Sequence, residues 1–253
     1  EASFQSATNI QGTYGSLDID SSGNWTYTVD NNLEAIQSLA TGEQLPDSVE
    51  VASYDGTVQT VNITINGTND GPVLSGPAPQ ITSSEDDAVI FDLLGGVTDP
   101  DTTDTLSVDA SSIMPVSGDA SGVVINTNGT LSISSNAYAA LPFGSEEVIT
   151  FSYMVEDGKG GAVQQTATIT ITGADDAPTI SGEFSGSVTE DALVDDDGNL
   201  IAQGTLAVTD PDVGEASFQS ATNIQGTYGS LDIDSSGNWT YTVDNNLEAI
   251  QSL

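Results

Sequence analysis

The chain has 253 residues, with 38 acidic side chains against one basic side chain, Lys159, and no histidine, for a formal charge of −37. A polyanion of this density has no basic side chains to release counterions from nucleic acid or to hold an anionic lipid surface, so cations are its natural partners. The absence of cysteine and histidine removes disulfides, thiolate zinc sites, cysteine nucleophiles and the commonest general base.

Acidity alone would fit a disordered chain, yet 37% of the residues are hydrophobic and they alternate regularly with polar ones. That pattern predicts a packed β-protein. No run approaches the roughly 18 apolar residues of a membrane span, so no direct membrane insertion is expected. The chain opens on Glu1 without a basic segment leading into an apolar one, and it reads as an excerpt of something longer.

In chain order, Leu17 and Ile19 alternate into the turn Ser21-Ser22-Gly23-Asn24, and Trp25, Tyr27 and Val29 alternate out of it, which predicts a hairpin. A short helical turn is predicted over 32–39, where Leu33, Ile36 and Leu39 recur every third residue before Gly42. Asp55-Gly56 turns the chain into the strand of Val61, Ile63 and Ile65. NGTNDGPVLSG (66–76) then reads as a linker, followed by Glu85-Asp86 and VTDPD (97–101). Asn128-Gly129 joins two further strands, and Asp157-Gly158 precedes the strand of Ala167, Ile169 and Ile171. A second linker, TGADDAPTISG (172–182), is followed by Glu190-Asp191 and again by VTDPD (208–212). Residues 1–39 then recur without a change as 215–253. An identity this long exceeds what shared physical constraints impose, because surface positions such as Gln5 and Gln219 are free to differ; duplication in a tandem array is the simplest cause.

These signals predict an all-β chain of tandem immunoglobulin-like or cadherin-like β-sandwiches joined by short acidic linkers. The expected divisions are a carboxyl-terminal part of one sandwich (1–70), a complete sandwich (71–176) and an amino-terminal part of the next (177–253). Each terminal piece lacks strands that its core requires, so completion by a neighbour, head to tail, is expected.

The stretch 185–212, running on through 226–253, resembles the first part of a VCBS repeat, and residues 12–70 resemble its remainder. Residues 71–176 resemble the cadherin-like repeats that alternate with VCBS modules in very large RTX adhesins. The resemblance implies calcium-rigidified extender repeats of a type I secreted bacterial surface protein, projecting a distal adhesive domain for cell adhesion or biofilm formation. Neighbouring repeats of the same chain would be its partners, and it would be neither an enzyme nor a nucleic-acid binder. A carbohydrate- or protein-binding sandwich module is the alternative.

Calcium takes six to eight oxygens, several of them carboxylates. In the cadherin pattern, ions lie between successive domains, held by a linker, a DxD in the following domain and acids of the preceding one. Carried over by position, the resemblance implies Asn69, Asp70, Asp99 and Asp101 at the first junction, with Glu43 from the preceding piece. It implies Asp175, Asp176, Asp210, Asp212 and Glu85 at the second, and it sets Glu146 and Glu147 where a further acid of the pattern falls. Both linkers lack the final Asn of the pattern's NDN. Asp18-x-Asp20-x-Ser22-Gly23 imitates the start of an EF-hand loop, but no Glu follows at the twelfth position, and solvated strand carboxylates are expected there. Asp195-Asp196-Asp197-Gly198 is expected to be a turn. Trp25 and Trp239 are expected at hairpin core positions rather than as sugar platforms, and Lys159, in Asp-Gly-Lys-Gly-Gly, is expected in a turn, which excludes a buried isopeptide.

Overall fold

Alternating apolar residues build strands along the whole chain, and glycines with left-handed backbone close the turns between them. The computed structural model describes residues 3–87, 89–134 and 137–253. Strands β1 (Ala7–Gln11), β2 (Gly15–Ile19) and β3 (Trp25–Val29) form an antiparallel sheet that turns at Gly23, φ +85°. One helical turn, α1 (Glu34–Gln37), leads to a long hairpin of β4 (Gln44–Ala52) and β5 (Val58–Asn66). Leu17 and Ile19 of the sheet are buried with Val49 and Val51 of the hairpin.

The central region carries β6 (Val73–Leu74), β7 (Gln80–Ser84), β8 (Ile90–Phe91), β9 (Val97–Thr98), β10 (Ser107–Ser117), β11 (Val123–Ile125), β12 (Leu131–Ile133), β13 (Glu146–Glu156) and β14 (Ala162–Thr172). One sheet has the order β10-β13-β14-β7, with β7 parallel to β14; the other has the order β11-β12-β8, and β6 pairs with β9. Period-two alternation along β13 and β14 turns Ile149, Phe151, Tyr153, Val155, Ile169 and Ile171 inward, where they meet Phe91, Leu131 and Ile133 of the facing sheet. The Tyr153 hydroxyl, buried with its ring, donates to the Leu93 carbonyl at 2.8 Å.

The last region is a single sheet. Strands β15 (Thr179–Gly182), β16 (Asn199–Thr209), β17 (Ala221–Gln225), β18 (Gly229–Ile233) and β19 (Asn238–Asp244) take the order β15-β16-β19-β18-β17, and α2 (Glu248–Gln251) closes the chain. Leu200, Val243 and Ile250 form its small core. Trp239 lies over Gly204, where a Cβ would come within 2.5 Å of the indole. Among the described residues no helix is long and apolar enough to cross a membrane.

Candidate metal centres

After β5 the chain crosses to the central region through Asn69 and Asp70. The Asp70 backbone N–H donates to Asp101 Oδ2 at 2.8 Å, and the Asp101 N–H donates to Asp99 Oδ1 at 2.9 Å across Pro100. That second bond is the Asx turn that an Asp-Pro-Asp sequence favours. The Asn69 amide nitrogen donates to Asp157 Oδ2 at 2.9 Å. Asp157 is itself fixed by the backbone N–H groups of Lys159, Gly160 and Gly161, which reach its Oδ1 at 2.6, 3.0 and 3.0 Å. These donors, with Asn69 foremost, hold the Asp157 carboxyl below the usual range. Gly161 is needed here: a Cβ would stand 2.2 Å from Asp157 Oδ2 and 2.6 Å from the Gly71 Cα of the passing linker. Burial, and then the charges of Asp101, Asp157 and Asp104, push the Asp99 carboxyl up.

The second junction repeats this construction. The Asp176 N–H donates to Asp212 Oδ2 at 3.0 Å, and the Asp212 N–H to Asp210 Oδ1 at 3.1 Å. The central region adds Glu85, whose Oε1 accepts the Ala174 N–H at 2.8 Å. Carboxylate oxygens of Glu85, Asp176 and Asp212 lie within 4.8 Å of one another, as do those of Asp175, Asp212 and Glu215. Burial raises the Glu85 carboxyl's pKa, and desolvation followed by the Asp212 charge raises that of Asp176. The Val213 N–H also donates to the Ala140 carbonyl at 3.3 Å, and the Phe143 N–H to Glu215 Oε1 at 3.3 Å, so the following segment is tied to the central one.

Among the described residues seven buried side-chain polar atoms have no hydrogen-bond partner, and six of them are junction oxygens. They are Asn69 Oδ1, Asp99 Oδ2, Asp101 Oδ1 and Asp104 Oδ2 at the first junction, and Glu85 Oε2 and Asp212 Oδ1 at the second. A buried acceptor left unmade costs about 1–3 kcal/mol, and more when it is charged. Such atoms, gathered among like charges, fit a hard cation that takes oxygen ligands and do not fit a metal that needs imidazole or thiolate.

The structure thus brings Asn69, Asp70, Asp99 and Asp101 together at one end of the central sandwich, and Glu85, Asp175, Asp176, Asp210 and Asp212 at the other. Glu43 is held apart, its Oε2 accepting the Ala40 N–H at 3.1 Å. Glu147 accepts the Asp119 N–H at 2.6 Å, and Glu146 opens β13 as an exposed residue; neither joins a cluster. Asp18 accepts the Asn9 N–H, Asp20 those of Ser22 and Asn24, and Asp195 those of Asp197 and Asn199, so these acids close turns and bulges.

Asp104, Asp157 and Glu215 join the sites without having been singled out from the sequence. Their signal was present for two of the three: DPDTTD (99–104) and DPDVGE (210–215) share an acid three residues after the second Asp. The first junction gathers no three carboxylates within 4.8 Å among the described residues. The counterpart of Glu85 in the sequence pattern is Glu190, which belongs to the segment before the second copy.

Residues 68–172 match the family model of the cadherin-like domain. The central sandwich is therefore similar in sequence to a cadherin-like domain. No curated protein matches the chain. Among solved structures, the chain is similar to repeats 22–24 of mouse cadherin-23, with 19% identity over 96% of this chain and 75% of that one and a TM-score of 0.47. It is similar to repeats 1–3 of mouse protocadherin-24 with 16% identity over 95% and 76% of the two chains and a TM-score of 0.43. The human desmocollin-1 ectodomain gives 17% identity over 98% of this chain and a TM-score of 0.36; the chain spans 46% of that ectodomain. Identities this low carry no residue-to-residue correspondence.

Proposed function

We propose that the chain is a spacer segment of a bacterial surface adhesin, in which calcium at the two junctions stiffens successive sandwiches into a rod. The observation that carries this reading is the set of six buried oxygens without partners, all at the junctions and built twice from the same Asp-Pro-Asp turn and linker amide. Asn69, Asp99, Asp101 and Asp104 would hold an ion at the first junction, and Glu85, Asp175, Asp176, Asp212 and Glu215 at the second. A bound cation supplies positive charge where carboxylates of two regions converge. The chain's part is to fix the linker amides on Asp101 and Asp212, so that each linker is anchored to the domain it enters.

The VCBS-like pattern of the terminal pieces and the exact recurrence of 1–39 support a tandem extender whose function is reach. Export through a type I route agrees with the absence of cysteine. The test is calcium titration followed by small-angle scattering: calcium should lengthen and narrow the distance distribution, and chelator should broaden it. Superimposable profiles in calcium and chelator would overturn the reading.

A further inference from the structure

The chain carries Asn-x-Thr sequences at Asn24, Asn62, Asn66, Asn128 and Asn238. This tripeptide is the acceptor pattern for N-linked sugar, and because short matches to it are common, the structure around each one decides what it can do. At Asn24 and Asn238 the amide nitrogen that would take the sugar is already engaged, donating to Asp20 Oδ2 and Asp234 Oδ2 at 2.8 Å. Asn62 stands in the middle of β5, which is paired along its length with β4. Asn66 ends that strand, its Oδ1 accepting the Gln44 amide at 2.8 Å.

Asn128 differs from all four. It is exposed at the turn of the β11–β12 hairpin, and among the described residues its amide nitrogen has no hydrogen-bond partner. Its Oδ1 accepts the Thr130 hydroxyl at 2.8 Å and the Thr130 N–H at 3.3 Å. The Asn126 amide nitrogen donates to Thr130 Oγ1 at 3.0 Å, which occupies a lone pair there and leaves the hydroxyl hydrogen for Asn128. The turn itself is fixed: the Gly129 N–H donates to the Asn126 carbonyl at 3.1 Å, and at φ +77° a Cβ on Gly129 would stand 2.7 Å from the Val108 Cβ. The surroundings also differ in charge. Residues 120–145 carry no charged side chain, the longest such stretch in a chain with 38 acids. A sugar donor activated as a diphosphate is an anion, which closely spaced carboxylates repel.

We propose that Asn128 is an acceptor for N-linked glycosylation. A base on the transferase removes one Nδ2 proton, and Nδ2 attacks C1 of a sugar carried on a nucleoside diphosphate. The new N–C1 bond forms as the C1–O bond breaks, and its electron pair leaves with the diphosphate. An amide nitrogen is a poor nucleophile because its lone pair is shared with the carbonyl. The two Thr130 donors at Oδ1 stabilise the negative charge that collects on that oxygen as the proton leaves. Thr130, and Asn126 through it, are positioning residues. The site shares no residue with either junction, so it stands or falls apart from the calcium reading.

Glycopeptide mass spectrometry of the chain recovered from the cells that make it tests the assignment, with sugar expected on Asn128 and none on Asn24 or Asn238. Rates come from the folded chain incubated with UDP-glucose and a transferase that reads Asn-x-Thr. Asn128 should be modified at least about tenfold faster than any other site, and Thr130→Ala should cut that rate by at least about tenfold while Thr130→Ser retains it. Asn126→Ala leaves the tripeptide untouched, yet it should slow modification of Asn128 several-fold and leave the other sites unchanged. A bare Asn128 in the recovered chain, equal rates at all the Asn-x-Thr sites, or a wild-type rate in Asn126→Ala would overturn the proposal.

Discussion

The two copies of the 39-residue segment are one sequence in two surroundings. Their local structure is the same. Leu17 pairs with Tyr27 and Ile19 with Trp25, as Leu231 does with Tyr241 and Ile233 with Trp239. Both first strands break register at the same place, where Asn9 and Asn223 take φ of +57° and +58° and their N–H groups donate to Asp18 and Asp232 at 2.6 Å. The burial is different. Leu17 is sealed where Leu231 is partly open, and Trp25 is 49% exposed where Trp239 is 8% exposed. Hairpin register is therefore set by residues within the segment, through alternation, the Asp-capped turn and the Asn bulge. The burial of that face is set by whichever outside segment lies over each part of it.

The largest effect expected from that contrast is at the tryptophans. Trp239→Ala removes a buried indole whose Nε1–H donates to the Glu183 carbonyl at 3.0 Å, and it should cost about 3–5 kcal/mol in the last region. Trp25→Ala, at a half-exposed position, should cost under about 1 kcal/mol in the first region. Urea unfolding followed region by region through amide hydrogen exchange checks both, and comparable losses would contradict the assigned surroundings.

Cation removal comes next. A cation that binds only the assembled junction stabilises it by about 2.7 kcal/mol at a hundredfold excess over its Kd. Asp212→Asn should abolish binding at the second junction and leave the first intact, and Asp101→Asn should do the reverse. Calorimetric ion counts on the two variants separate the sites; unchanged counts in both would remove them.

The central sandwich was legible in the sequence because its signals are local: Tyr153 and Phe151 alternate on one strand, and Asp157-Gly158 turns into the next. The paired Asp-Pro-Asp turns were legible for the same reason. Asp157 escaped because its role depends on a contact with Asn69 that spans 88 positions, and no local pattern carries that. Glu43 is an acid at a plausible place in the chain, but its carboxylate is used by the Ala40 amide of its own turn. The exposure of Trp25 was not legible from its hairpin, since the strand that would cover it lies outside the segment.

A smaller contrast concerns the tyrosines. Burial alone would raise the Asp47 carboxyl, but hydrogen bonds from Tyr27, Thr13 and Tyr14 outweigh it and hold it well below the usual range, while the Tyr27 phenol is pushed up to about 12. A hydrogen bond to a charged group contributes about 1.5–3 kcal/mol, so Tyr27→Phe should destabilise the first region by that order. Tyr241→Phe should leave the last region near wild type. Equal losses would mean that Tyr241 has an acceptor within its own chain.

The smallest effect is in pH, and its sign is what matters. Without cation, the folded pKa values of Glu85, Asp99 and Asp176 lie above their ordinary ones, because burial and neighbouring carboxylates disfavour the charged forms. Between the ordinary and the raised value the folded chain binds more protons than the unfolded chain, so stability falls as pH rises through that window. In chelator, acidification from neutral into the carboxylate range should therefore raise the melting temperature of the junctions. With calcium bound the order reverses, since protons compete with the ion for the same oxygens and acidification releases it. Melting curves in calcium and in chelator should slope in opposite directions with pH, and parallel slopes would show that these carboxylates are not where the cation binds.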